Sequence, residues 1–391
     1  MSIVEFIVIG RGLMGSAAAR HLANQGASVT LIGPSEPENL KKHEGVYSSH
    51  YDSGRIVRIL DPLPLSCETS QASIKRFKPL EKETGIDFYS EVGFLAASNN
   101  YDYLSQVGSQ AKTYYPDAEK LSNEALQQRF PFFNFPESVR GIFQKTDAGW
   151  IDPRKQISAQ NKALELSGGV IVDELALSVE KASTHITVKT ETGSISGKKC
   201  IFASGAFANF GNTIPKKLEY GVVPHTTVRA EVSTDQLDKL KGMPCMSYRL
   251  GDEANKFLYF LPAIKYPDGK YYVKIGHALG NEMKYDEKLI KDWFKSDGDE
   301  AKIPWLTEAL RDLLVNVKLG KLHTEPCITT TSPTGAIYID QFEDERMFAL
   351  HSGGGYCAKS ADELGFIMAE FALKNTFPSP YNKGDFQLIY K

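Results

Sequence analysis

What this chain has little of excludes several classes at once. Its five cysteines, Cys67, Cys200, Cys245, Cys327 and Cys357, are widely spaced and form no CxxC pair. That argues against a zinc ribbon and against a dithiol redox motif. Its eight histidines are scattered without an HxH or HxxxH pair, so no metal site is expected. There is no excess of positive charge: the net charge is −3, unlike the basic face of a nucleic-acid binder. No apolar run reaches membrane-spanning length. Met1 to Phe6 has no basic n-region and Leu388 to Lys391 is not a recognisable address. A cytoplasmic protein with reduced thiols is therefore expected. Internal repeats and low-complexity tracts are also missing.

What is present reads as a globular enzyme. The 391 residues are 42% hydrophobic and 24% charged, enough chain for two domains. A strand at Phe6–Ile9 runs into Gly10-Arg11-Gly12-Leu13-Met14-Gly15, then a helical pattern to Gln25, a stop at Gly26 and a second strand ending at Ile32. Strand, glycine turn, helix and strand within about thirty residues is the setting a dinucleotide fingerprint requires. Gly10 makes the tight turn, Gly12 lets the backbone approach a pyrophosphate, and Gly15 lets helix and strand pack closely. The helix start then offers N–H groups to the phosphates. The acid that should end the second strand and hold a ribose is missing. Gly33 stands there, with Glu36 as a nearby stand-in.

Residues 149–174 read as a turn, a helix ending at Gly168-Gly169, and a strand. Residues 198–210 read as a buried strand entering Ala203-Ser204-Gly205-Ala206. Both suit the same nucleotide domain. Between such segments the chain turns to strand-like alternation with aromatics and Pro/Gly turns, as in the hairpin Lys256–Pro262 and Tyr271–His277 across Pro267-Asp268-Gly269. The expected fold is α/β (α+β). A Rossmann-like domain from 1–90, 146–217 and 326–391 is interleaved with a mixed β-sheet substrate domain from 91–145 and 218–325.

Four segments now carry a resemblance: Gly10 to Gly15, SHYDSGRIVR at 49–58, YYVKIGH at 271–277, and CITTTSP…IYID…SGGGYCAKSADELG at 327–365. Together they resemble the D-amino-acid-oxidase-like flavoproteins, in particular the group of monomeric sarcosine, N-methyltryptophan and pipecolate oxidases. The resemblance covers nearly the whole chain. It implies a GR2-type FAD domain and FAD as cofactor, held by Gly10, Gly12, Leu13, Met14, Gly15, Ser49, Arg55, Gly205, Gly353, Gly354, Gly355, Tyr356 and Lys359. It implies oxidation of a small secondary amine or amino-acid-like substrate to an imine, with O2 reduced to H2O2, by a monomer that binds neither nucleic acid nor membrane. A flavin-dependent amine dehydrogenase with another acceptor, and a flavoprotein that senses a ligand without turnover, are the alternatives. An NAD-dependent dehydrogenase would explain the fingerprint but none of the other three segments.

The resemblance also assigns roles. Arg55 would lie near the flavin ring and Arg58 would hold a substrate carboxylate; read alone, the two arginines could equally be a solvated patch or a structural ion pair. Lys274 would reach the flavin through water and favour the reaction with oxygen, whereas alternation alone allows a lysine on the wet face of a hairpin. Tyr51, Tyr259 and Tyr272 are candidate pocket walls. Where the group usually has GHG[FW]K, this chain has Gly353-Gly354-Gly355-Tyr356-Cys357. Either Lys359 supplies the second carboxylate holder or Arg58 acts alone. Cys327, followed after five residues by Pro333 and then by a strand ending at Asp340, aligns with the group's flavin attachment site. The resemblance thus implies a thioether from Cys327 to the flavin 8α-carbon.

Overall fold

The computed structural model describes residues 3–251, 257–277 and 282–391. Lys256, the expected first residue of a hairpin strand, lies outside them. The apolar runs at Val4–Ile9 and Val29–Ile32 form neighbouring parallel strands. Val4–Ile9 also pairs in parallel with Ser194–Phe202, which in turn pairs with Met347–His351. Continuous apolar runs are what parallel strands buried on both faces require. Val170–Val172 extends this sheet beyond Val29–Ile32, and an antiparallel hairpin, Ala176–Lys181 with Ile186–Thr190, extends the other side. Segments from the start, middle and end of the chain thus meet in one eight-stranded sheet.

The fingerprint helix Leu13–Asn24 crosses this sheet and packs against the C-terminal helix Cys357–Lys374. A 3-10 turn at Gly354–Tyr356 feeds straight into that helix. Gly365 makes the crossing close: a Cβ there would meet Ala17 Cβ at 2.6 Å.

A second eight-stranded sheet has the order Leu319–Thr331, Gly221–Val232, Tyr271–His277, Phe257–Lys265, Cys245–Arg249, Phe94–Ser98, Arg140–Gln144, Glu119–Leu121. The expected hairpin is present, Phe257–Lys265 pairing antiparallel with Tyr271–His277. The strand Leu319–Thr331 runs unbroken through the expected boundary at 325/326. Both faces of this sheet are covered. Val273 and Ile275 enter one apolar cluster with the helix Lys302–Leu313, while Tyr272 and Leu261 enter another with the helix Pro64–Thr84. Alternation on such a sheet no longer separates wet from dry.

Pro64–Thr84, Tyr101–Tyr114 and Lys302–Leu313 are helices that the sequence reading did not mark. The first buries Ser66, Thr69, Ser70 and Ser73, with the Thr69 hydroxyl donating to Ser360 at 3.1 Å. A helix whose buried face carries hydroxyls interrupts the apolar stripe by which helices are read. Among the described residues, no helix is long and apolar enough to cross a membrane. No group of His, Cys, Asp and Glu among them could hold a metal ion.

Candidate active site

A cleft of about 360 Å³ opens at the C-terminal ends of the parallel strands, where Ile9 and Ile32 line it. Gly10, Gly12, Leu13 and Met14 form one wall. Ser49, Gly205, Gly353 and Gly354 come to the same cleft from distant parts of the chain. Gly15 does its expected work behind the wall: a Cβ there would collide with the Gly10 carbonyl. Gly355 and Tyr356 face solvent, and Lys359 turns inward, so these three stand outside the cleft wall.

The cleft fits a dinucleotide on its own evidence. The fingerprint helix has no side-chain cap and no acid in its first turn, so its leading N–H groups are free for phosphate oxygens. A Cβ on Gly12 would meet nothing within 4 Å, whereas Gly10, at φ +113°, would drive one into the Ala203 carbonyl. The turn is therefore compact behind and open in front. The expected ribose stand-in is otherwise engaged: Arg154 donates to both carboxylate oxygens of Glu36, each at 2.7 Å. A paired carboxylate is a poor acceptor for a sugar.

The loop before the strand Arg55–Val57 carries Asp52, which the sequence reading passed over. It is buried, and one of its oxygens receives both Arg55 and Lys274, the latter at 2.6 Å. Its other oxygen accepts from the Ser53 N–H at 2.7 Å and the Tyr266 hydroxyl at 2.9 Å. Gly54 lets this loop lie on the sheet, because any Cβ would strike Ile264 and Leu261, and its carbonyl accepts from Lys274. Lys274 is only 1% exposed, so the wet-face reading is overturned. The sheet faces the helix Pro64–Thr84 and this loop there, not water. Burial, then the Arg55 guanidinium, pushes the Lys274 ammonium well below its ordinary value, while Glu325 and the Cys327 side chain pull it back.

Arg58 repeats the pattern on the other side. Its Nε donates to the Leu60 carbonyl at 2.8 Å and its Nη2 to Asp61 at 2.9 Å, with the Phe94 ring 4.9 Å away. Lys359 donates to Ser66 at 2.7 Å and to the same Asp61 oxygen at 3.3 Å. Arg58 and Lys359 therefore do converge, but on an internal carboxylate. Burial opposes ionisation of Asp61, yet Lys359 and Arg58 outweigh it and hold the carboxyl below its usual range. Burial, with Arg58, pushes Lys359 down to about 8. Cys357, not Lys359, lines the cleft, and burial pushes its thiol up to about 12.

Cys327 lies in the strand Leu319–Thr331, opposite His225, next to the cleft-lining Ile328. Arg55 Nη2 donates to its sulfur at 3.5 Å, and the Trp293 indole N–H holds its carbonyl at 3.0 Å. Tyr259 is close enough to feel Arg55 and Cys327, and burial pushes its hydroxyl up to about 12. Tyr51 stacks edge-on against His50, 4.8 Å between ring centroids, and burial pushes its hydroxyl up to about 12. Tyr272 turns its hydroxyl away, donating to Asp268 at 2.6 Å. The geometry thus gathers Arg55 and Lys274 on Asp52, with Cys327 and Tyr259 beside Arg55, and Arg58 and Lys359 on Asp61.

A family profile described as "FAD dependent oxidoreductase" matches residues 5–371. Peroxisomal sarcosine oxidase of Mus musculus is 27% identical over 396 residues, covering 98% of this chain and 95% of the relative. N-methyl-L-tryptophan oxidase of Yersinia pestis (strain Pestoides F) is 25% identical over 405 residues, covering 98% of each. Among solved structures, NikD, described as an unusual amino acid oxidase essential for nikkomycin biosynthesis, superposes with a TM-score of 0.80 at 17% identity. That match covers 100% of this chain and 98% of the other and speaks for the fold alone.

Proposed function

The chain belongs to the FAD dependent oxidoreductase family, and from that premise we propose that it is an amine oxidase. Its substrate is a secondary amine or an amino-acid-like amine whose C–N bond is oxidised to an imine, with oxygen reduced to peroxide. FAD in the cleft supplies the two-electron acceptor for the α-C–H bond. The observation that carries the reading is the buried Lys274 joined through Asp52 to Arg55, which in turn donates to the cleft-side cysteine. A lysine so costly to bury serves a purpose at the site. In this reading Lys274, kept protonated by Asp52 against its burial, offers oxygen a positive charge, and Arg55 offers one to the flavin ring as it gains electrons. Tyr51 and Tyr259 wall the amine, with Arg58 and Lys359 beyond it. In this reading the nucleotide domain is 1–90, 146–217 and the segment after Thr331, and the substrate domain is 91–145 and 218–331, because the strand Leu319–Thr331 belongs wholly to the second sheet.

FAD in this proposal is covalent, joined through the Cys327 sulfur to the 8α-carbon. Support comes from the position of the sulfur beside the cleft and within reach of Arg55. A tether also offsets the missing ribose acid at Gly33 and the engaged Glu36. The test is anaerobic mixing of the flavin-loaded protein with N-methyl amino acids, cyclic imino acids, simple secondary amines and primary amino acids. Bleaching by at least one, with peroxide formed on admitting air, is expected. No bleaching by any would sink the proposal, and bleaching without peroxide would turn it toward a dehydrogenase.

A further inference from the structure

Resting on the amine-oxidase reading, the geometry around Asp61 narrows the substrate class. Asp61 is wholly buried, and Lys359 is 2% exposed. Arg58 commits Nε to the Leu60 carbonyl and Nη2 to Asp61. Those two nitrogens form one of the edges by which a guanidinium grips a carboxylate in a fork. Lys359 spends two of its three protons on Asp61 and Ser66. The second Asp61 oxygen accepts the Leu63 N–H at 3.1 Å, so the carboxylate is held by the backbone as well. An incoming carboxylate could take that edge of Arg58 only by displacing Asp61. The displaced group would be a buried anion stripped of both cations, with the Leu63 N–H as its remaining partner, which is strongly unfavourable. The other surroundings are aromatic: Phe94 lies under Arg58 and the Tyr356 ring is 5.5 Å from Lys359.

We propose that Asp61 is a specificity-determining residue: it fills the Arg58–Lys359 anion site from within the chain, so the substrate is an amine with no carboxylate beside the reacting C–N bond. A neutral polar or aromatic group takes the place a carboxylate would occupy.

The flavin-loaded protein is titrated with pyrrole-2-carboxylate and with pyrrole-2-carboxamide, near-isosteric probes differing in charge, and the change in flavin absorption is followed. The wild type should bind the carboxamide at least about tenfold more tightly. Asp61→Asn, which frees both cations, should tighten carboxylate binding about tenfold and move carboxamide binding less than about threefold. Lys359→Met covers the case in which Asp61→Asn fails to fold. With Lys359 already consumed internally, carboxylate affinity should change less than about threefold. A wild type that prefers the carboxylate overturns the proposal, as does an unperturbed spectrum with the carboxamide. An Asp61→Asn protein with unchanged preference, or a Lys359→Met protein that loses carboxylate affinity about tenfold, also overturns it. Binding is read without turnover, so failure to oxidise any amine would count against the oxidase reading alone.

Discussion

Asp52, Arg55, Arg58 and Asp61 stand at three-residue steps along one segment, and each arginine pairs with the aspartate on its outer side. A lysine from a distant element joins each pair, Lys274 the first and Lys359 the second. The arginine pair was legible in the sequence as a demand for anions. The D-x-x-R-x-x-R-x-x-D spacing that answers it was also written there and went unread, because an isolated aspartate looks like surface. What no local pattern could reveal is the arrival of Lys274 and Lys359, which tertiary packing alone decides. The roles argued for these residues give two tests. Lys274→Met should slow reoxidation of the reduced flavin by oxygen by about 100-fold while flavin bleaching by amine changes far less; stopped-flow absorbance separates the two steps. Cys327→Ala should abolish the flavin fluorescence of the denatured band on a gel. A band that stays fluorescent would refute the thioether.

At the scale of elements, the fingerprint helix was found from glycine punctuation between two apolar strands, which local chemistry dictates. The helix Pro64–Thr84 escaped because serines and threonines interrupt the buried apolar stripe of Cys67, Ile74, Phe77 and Leu80, and because Pro79 lies inside it. These helices are also clamped by charge. Asp362 of the C-terminal helix accepts from Arg20 at 2.7 Å and from Gln160 at 2.8 Å, and Arg76 binds both it and Glu363. Asp362→Leu would leave Arg20 and Arg76 without that anion and should cost about 3–5 kcal/mol of stability in urea unfolding. Gly365→Val would force the two helices apart at Ala17 and Ala18. It should cost at least about 1–3 kcal/mol and loosen the cofactor cleft, read as weaker flavin retention after dialysis if the thioether is absent.

For the whole molecule, acid is the expected weakness. Burial and Arg20 push His21 down to about 4, and burial pushes His351 down to about 4, from 6.5. In the unfolded chain both titrate near 6.5, so between about pH 6.5 and 4 the unfolded state binds more protons. Their contribution is intact above that window and falls on acidification, by up to roughly 1.4 kcal/mol per pH unit for each histidine. Asp362 is held well below its usual value by Arg20 and His21 despite burial, so its share is lost only in stronger acid. Thermal melts at about pH 7.5 and about pH 5 should show the lower midpoint in acid, and His21→Gln should narrow the gap. An acid melt as high as the neutral one would contradict this.

The connectivity of the first sheet has a consequence during synthesis. Ser194–Phe202 sits between Val4–Ile9 and Met347–His351, and the cleft takes Gly353 and Gly354 from just beyond that last strand. On a ribosome, the cofactor cradle therefore cannot close until nearly the whole chain has emerged. The fingerprint strand has both its neighbours, Val29–Ile32 and Ser194–Phe202, by mid-chain, but Ser194–Phe202 must wait for Met347–His351 with Cys200–Phe202 unpaired on one side. Chaperone dependence and flavin supply should thus bear on yield at the end of translation, not at its start.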